Sequence, residues 1–184
     1  MDIDKIISLY YEEGTPLLDL LLTHSETVAR KALALADAAR LDVDRDFVWN
    51  AAMLHDIGIF RCNAPSIHCH GTEPYIRHGI IGGGLMRGLG YPEIARVCER
   101  HTGSGLTARE IEGQGLPLPH QDFLPETLGE KLICYADKFY SKSGDPRAEK
   151  PLGRVRASMA KFGPDSLARF DALTSLFTPI SHKV

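Results

Sequence analysis

The sequence predicts an all-α fold, and three observations carry that expectation. Apolar residues at positions 17, 18, 21, 22, 28, 32, 35 and 39 follow the three-and-four spacing of a single buried helical stripe. Thr15 directly precedes Pro16, the capping residue and first-turn proline that start a helix, and Gly58 closes another apolar helical run that opens at the cap residue Asp44. Nearly every other segment between punctuating Gly and Pro residues also reads as helical.

In order, a short first helix is expected in IDKIISLYYEE, then the long one from Pro16 to Leu41, with His24 three residues after Leu21 and four before Val28. DRDFVWNAAMLHDIG gives the third. Residues 59–74, with two prolines, two cysteines and two histidines, read as an irregular loop. EPYIRHGIIGGGLMRGLG is helical in pattern despite Gly82, Gly83 and Gly84, which weaken a helix by up to about 1 kcal/mol each. Close approach of another backbone explains them better than a phosphate loop, because no Lys-Ser/Thr follows. YPEIARVCERHT forms a short helix ending at His101. The long Gly- and Pro-containing stretch over about 102–125 suggests a lid, and LGEKLICYADKFYSK is the next strong helix. Two amphipathic helices over about 146–180 complete a single domain, 1–184, as scaffolding.

The formal charge of −3 provides no basic footprint for duplex nucleic acid. No run reaches the roughly 18 apolar residues of a membrane span, and the N-terminus lacks the pattern of a signal peptide. Cys62, Cys69, Cys98 and Cys134 form no CxxC pair, which fits reduced thiols and a cytoplasmic protein.

Six residues on five helices carry chemistry: His24, His55, Asp56, His78, His101 and Asp137. Asp137 lies in the apolar run LICYADKFY, where an unpaired charge would cost several kcal/mol. Taken singly, each histidine reads as a hydrogen-bonded core residue, Asp56 as a cap and Asp137 as an ion-pair partner. Together, four imidazoles and two carboxylates suit divalent iron, manganese, cobalt or zinc. His68, His70 and His120, taken with Cys62 and Cys69, fit no standard zinc spacing and read as surface or lid residues.

The order His24, His55-Asp56, Asp137, with HDIG intact at 55–58, resembles the HD-domain superfamily of metal-dependent phosphohydrolases over about residues 20–142. The resemblance implies a helical bundle that holds metal in its core through His24, His55, Asp56 and Asp137. His78 and His101 match the extra histidines of the dinuclear branch, which implies two metals with Asp56 bridging them. RHGIIGGGLMRGLG, ERHTGSGLT and YADK are similar to stretches of bacterial symmetrical diadenosine tetraphosphatases.

On this basis the expected catalytic residues are Asp56 and His55, around a hydroxide shared between metals that attacks a phosphoester or phosphoanhydride of a small nucleotide or related phosphate. Positive charge for the phosphoryl oxygens is expected from Arg61, Arg100 and Lys138, with Arg77 and Lys142 also available. Many dinuclear relatives carry a substrate-binding lysine directly after the HD-x-G glycine, and Ile59 stands there in this chain. The same ligand set also serves HD-fold di-iron oxygenases acting on a diol or phosphonate. A non-catalytic nucleotide sensor would be marked by a missing ligand, and none is missing.

Overall fold

A computed structural model describes residues 1–178. The sequence expectation of a C-terminal helix reaching residue 180 thus lies partly outside the described residues. The elements are α1 Ile3–Ser8, α2 Pro16–Ala38, α3 Arg45–Leu54, β1 Asn63–Ala64, β2 Cys69–His70, α4 His78–Gly88, α5 Pro92–Arg100, α6 Ala108–Gly113, α7 Leu128–Asp137, α8 Leu152–Ala160 and α9 Pro164–Phe177. The fold is all-α apart from the antiparallel two-residue pairing of β1 with β2.

Helix starts follow the expected chemistry. The hydroxyl of Thr15 and the carboxylate of Asp44 each accept a bond from the backbone N–H three residues on, leaving fewer orphan donors in the first turns of α2 and α3. α2 buries Leu21, His24, Ser25, Val28, Ala29, Ala32, Leu35 and Ala36, the stripe its spacing predicts, against α3 and α7. On the far side of α7, Tyr135 stacks on Phe170 of α9 at 5.2 Å and lies 5.5 Å from Phe177, which closes the core.

The glycines of α4 explain its pairing with α5. A Cβ on Gly79 would come within 2.5 Å of the Cys98 carbonyl oxygen, and one on Gly82 would touch Ile57 and Cys98. Close backbone approach is therefore the reason for this glycine-rich helix, as its sequence suggests.

Residues 59–74 are more ordered than an irregular loop. A 3₁₀ turn over Ile59–Arg61 leads into the β1–β2 hairpin, and His68 turns the chain at φ 61°. The segment after His101 packs on the bundle. Leu106 and Phe123 exchange two backbone hydrogen bonds, Arg77 donates to the Pro117 carbonyl, and Arg169 holds Gly105 O and Glu110. Its helix α6 opens with a Thr107–Glu110 capping box.

Glu130 locks the start of α7. It is buried, accepts from the backbone N–H groups of Glu126 and Thr127, and pairs with Arg96 at 2.7 Å. Glu130→Ala removes a reciprocal cap and a buried ion-pair partner together. It is expected to destabilise the fold by about 2–4 kcal/mol, read as a lower urea midpoint with unchanged slope.

Candidate metal centre

Helix ends position the histidines. His55 and His101 cap the C-termini of α3 and α5, and His78 opens α4. Carbonyls in the last turn of a helix lack an intrahelical donor. The Nδ1–H of His55 donates to Ala52 O at 2.6 Å and that of His101 to Cys98 O at 2.7 Å. His78 repeats the contact with Tyr75 O at 2.6 Å. Each ring is thereby fixed with its Nε2 edge facing inward, the arrangement that orients imidazole ligands.

All six residues singled out in the sequence converge, and all six are buried. Among the described residues, their ligand atoms form two groups: His24, His55, Asp56 and Asp137, and then Asp56, His78 and His101. Asp56 belongs to both, and its two oxygens divide the work. Oδ2 lies 3.0 Å from His55 Nε2 and 3.3 Å from His24 Nε2. Oδ1 lies 3.5 Å from His78 Nε2 and 3.4 Å from His101 Nε2. Asp137 Oδ1 closes the first group, 3.0 Å from His24 and 3.5 Å from His55.

The arrangement fits divalent cations. Both Asp56 oxygens and His55 Nε2 are buried without an aligned hydrogen bond, which is costly for polar atoms left so. His78 and His101 point Nε2 at Nε2 across 3.0 Å while both Nδ1 positions are committed as donors. Two facing lone pairs repel, and a cation that accepts both removes the conflict. Buried His/Asp groups of this kind can hold metal ions.

Neighbouring charges set the ionisation of the two carboxylates. Burial, the largest influence on the Asp56 carboxyl, acts to raise it, but His55 and Lys142 outweigh it and hold the group well below the usual carboxylate range. Asp137 behaves alike, burial being overcome by Lys138 and Lys142. Burial and the neighbouring His101 push His78 down to about 3, so its ring is neutral and free to act as a ligand at neutral pH.

The cationic residues chosen from the sequence separate. Lys138 Nζ bridges Asp137 Oδ2 at 2.6 Å and His101 O at 2.8 Å, and it lines a cavity of about 400 Å³ beside the cluster. Arg100 does not stand over the ligands. It adjoins His101 in sequence but is turned to Leu124 O and Glu126, at 2.8 and 2.7 Å. Arg61 also lies elsewhere, because the 3₁₀ turn carries it outward over the Phe60 ring. Ile59 is fully buried in the core.

Lys142, one of the further cations in the sequence, has its Nζ 2.6 Å from Asp56 Oδ2 and lines the same cavity. Tyr75 was missed; it lines the cavity and stacks on His78 at 4.7 Å. From α8, Val155, Ser158 and Met159 form part of the cavity wall. His68 and His70 border a different surface cleft with Tyr10 and Phe60, and among the described residues no metal-holding group includes them, His120 or the cysteines.

Fold and site together define a helical domain equipped to hold metal ions in its core. The chain belongs to the HD domain family, whose family model matches residues 21–141. It is 36% identical over 141 residues to a tRNA (cytidine(56)-2'-O)-methyltransferase of Picrophilus torridus, and 30% identical over 142 residues to the protein of that name in Thermoplasma volcanium. These matches cover 76% and 77% of the chain, which spans only 36% of the length of either relative. An uncharacterized protein of Methanocaldococcus jannaschii is 38% identical over 148 residues, covering 76% of this chain and 79% of that one. No solved structure matches the chain. Among the described residues, no helix is long and apolar enough to cross a membrane.

Proposed function

We propose that the protein is a metal-dependent phosphohydrolase acting on a small phosphorylated substrate, a nucleotide or related phosphate. The observation that carries this is the shared carboxylate: Asp56 offers one oxygen to each of two ligand groups, directly beside a cavity lined by lysines. His24, His55, Asp56 and Asp137 would hold one divalent cation, and Asp56, His78 and His101 a second. Such a pair supplies an acidified water and charge neutralisation at phosphoryl oxygens.

The chain's own residues do the rest. Backbone carbonyls at 52, 75 and 98 keep three imidazoles in the ligating tautomer. Lys138 holds the unshared oxygen of Asp137, so that Oδ1 stays aimed at His24 and His55. The buried walls of the cluster limit water to the cavity side. Nitrogen and oxygen donors of this mix suit iron, manganese, cobalt or zinc.

The methyl transfer named for two relatives is not carried over, because the chain spans about a third of their length. Protein purified without chelator and loaded with iron, manganese or cobalt is expected to cleave at least one of a panel of nucleoside monophosphates, dinucleoside polyphosphates and cyclic nucleotides, assayed by phosphate release and chromatography. Failure across the panel, with oxygen consumed on a diol or phosphonate, would overturn the hydrolase reading.

A further inference from the structure

The cavity beside the cluster has a chemistry of its own. Lys142 joins it to the cluster: the side chain lines the cavity and the ammonium lies 2.6 Å from Asp56 Oδ2. An ammonium offers three donors, and the Tyr75 phenol lies beside it. Hydroxyls of Ser66 and Ser158 and the apolar side chains of Val155 and Met159 line the same space of about 400 Å³. A cation paired with Asp56, serine side chains and an apolar surface therefore share one space.

We propose that this cavity binds phosphomonoesters, with Lys142 taking an oxygen of the terminal phosphate and the Val155–Met159 face of α8 taking the group the phosphate is attached to. A monoester phosphate carries roughly −1.5 to −2 charges near neutral pH, against −1 for a diester, so a buried ammonium beside bound cations favours the monoester. The inference rests on the hydrolase reading for what happens next, and on Lys142 alone for binding. Lys142 holds this place because the chain leaves the helix at Asp137. Lys150 fixes the returning loop by donating to Tyr140 O at 2.8 Å, and Tyr140 OH donates to Glu149 at 3.1 Å.

The test is calorimetric titration of inorganic phosphate into the manganese-saturated protein, with metal content measured on the same samples. Lys142→Met is expected to weaken phosphate binding by at least about tenfold while keeping its manganese, and Lys142→Arg to recover part of the loss. Arg61→Ala, which removes a side chain lying over the Phe60 ring and outside the cavity wall, is expected to bind phosphate as the unaltered chain does. In competition, p-nitrophenyl phosphate should displace phosphate more strongly than bis(p-nitrophenyl) phosphate. Undiminished phosphate binding by Lys142→Met overturns the proposal. So does loss of manganese from that variant, since Lys142 would then be only a counter-charge of the cluster. Equal or better displacement by the diester overturns the monoester assignment. A protein that binds phosphate through Lys142 yet cleaves no phosphate bond refutes the hydrolase reading and leaves this inference standing, whereas an active hydrolase indifferent to Lys142 does the reverse.

Discussion

Asp56→Ala is expected to empty both halves of the metal centre at once, and to lower any phosphate-cleaving activity by at least about 10³-fold. Oδ2 faces His24 and His55, Oδ1 faces His78 and His101, and removing the carboxylate takes a donor from each group. His78→Ala provides the contrast, since it touches only the second group and should leave the cation held by His24, His55 and Asp137 in place. Metal content by elemental analysis separates the two variants, with a drop of both metals against a drop of one. An Asp56→Ala protein that keeps one full equivalent would mean that the two groups do not depend on a common ligand. The variant also leaves the Lys142 ammonium without its closest carboxylate, so a fall in stability accompanies the loss of metal. Circular dichroism checks that the helices persist.

The six clustered residues were legible from the sequence because each sits where helical periodicity and chain punctuation constrain it. His24 lies on the stripe of α2, and His55, His78 and His101 lie at helix ends marked by glycine, proline or a change of pattern. The cations were not legible for the opposite reason. Adjacency to a ligand suggested Arg100 and Lys138, but neighbours on a helix diverge by about 100°, and the partner that claims Arg100, Glu126, comes from beyond a long connection. The sequence pattern carries the helix that starts at Leu128 on through Lys142. The helix ends at Asp137 with no glycine or proline to announce it, and that early ending brings Lys142 back over the cluster. α6 did carry a signal, the Thr107–Glu110 pair at capping-box spacing, within a stretch whose glycines and prolines pointed to a lid.

Gly58→Ala is the second substitution expected to act strongly, although position 58 offers no ligand atom. Its backbone is ordinary, with φ −85° and ψ −5°, so conformational freedom is not what requires glycine. Space is. A Cβ there would collide with the His78 carbonyl oxygen and come within 2.6 Å of Gly82 N and 3.2 Å of Gly82 Cα, all of them backbone atoms of α4 that cannot rotate aside. The added methyl must push α4 away from the turn that carries His55 and Asp56. Destabilisation of about 2–4 kcal/mol is expected from overpacking of this kind. Because His78 is the first residue of α4, the same displacement opens the group formed by Asp56, His78 and His101, whereas His24, His55 and Asp137 stand on α2, on the end of α3 and on α7. Urea melts together with elemental analysis should thus show a less stable protein that has lost one metal and kept the other. Gly84→Ala is the matched control: it lies in the same helix, nothing stands within 4 Å of its Cβ position, and its expected effect is a gain of up to about 1 kcal/mol. A Gly58→Ala protein that keeps both metals and melts within 1 kcal/mol of the parent would show that α4 slides freely. The glycine of HDIG would then have no part in placing His78.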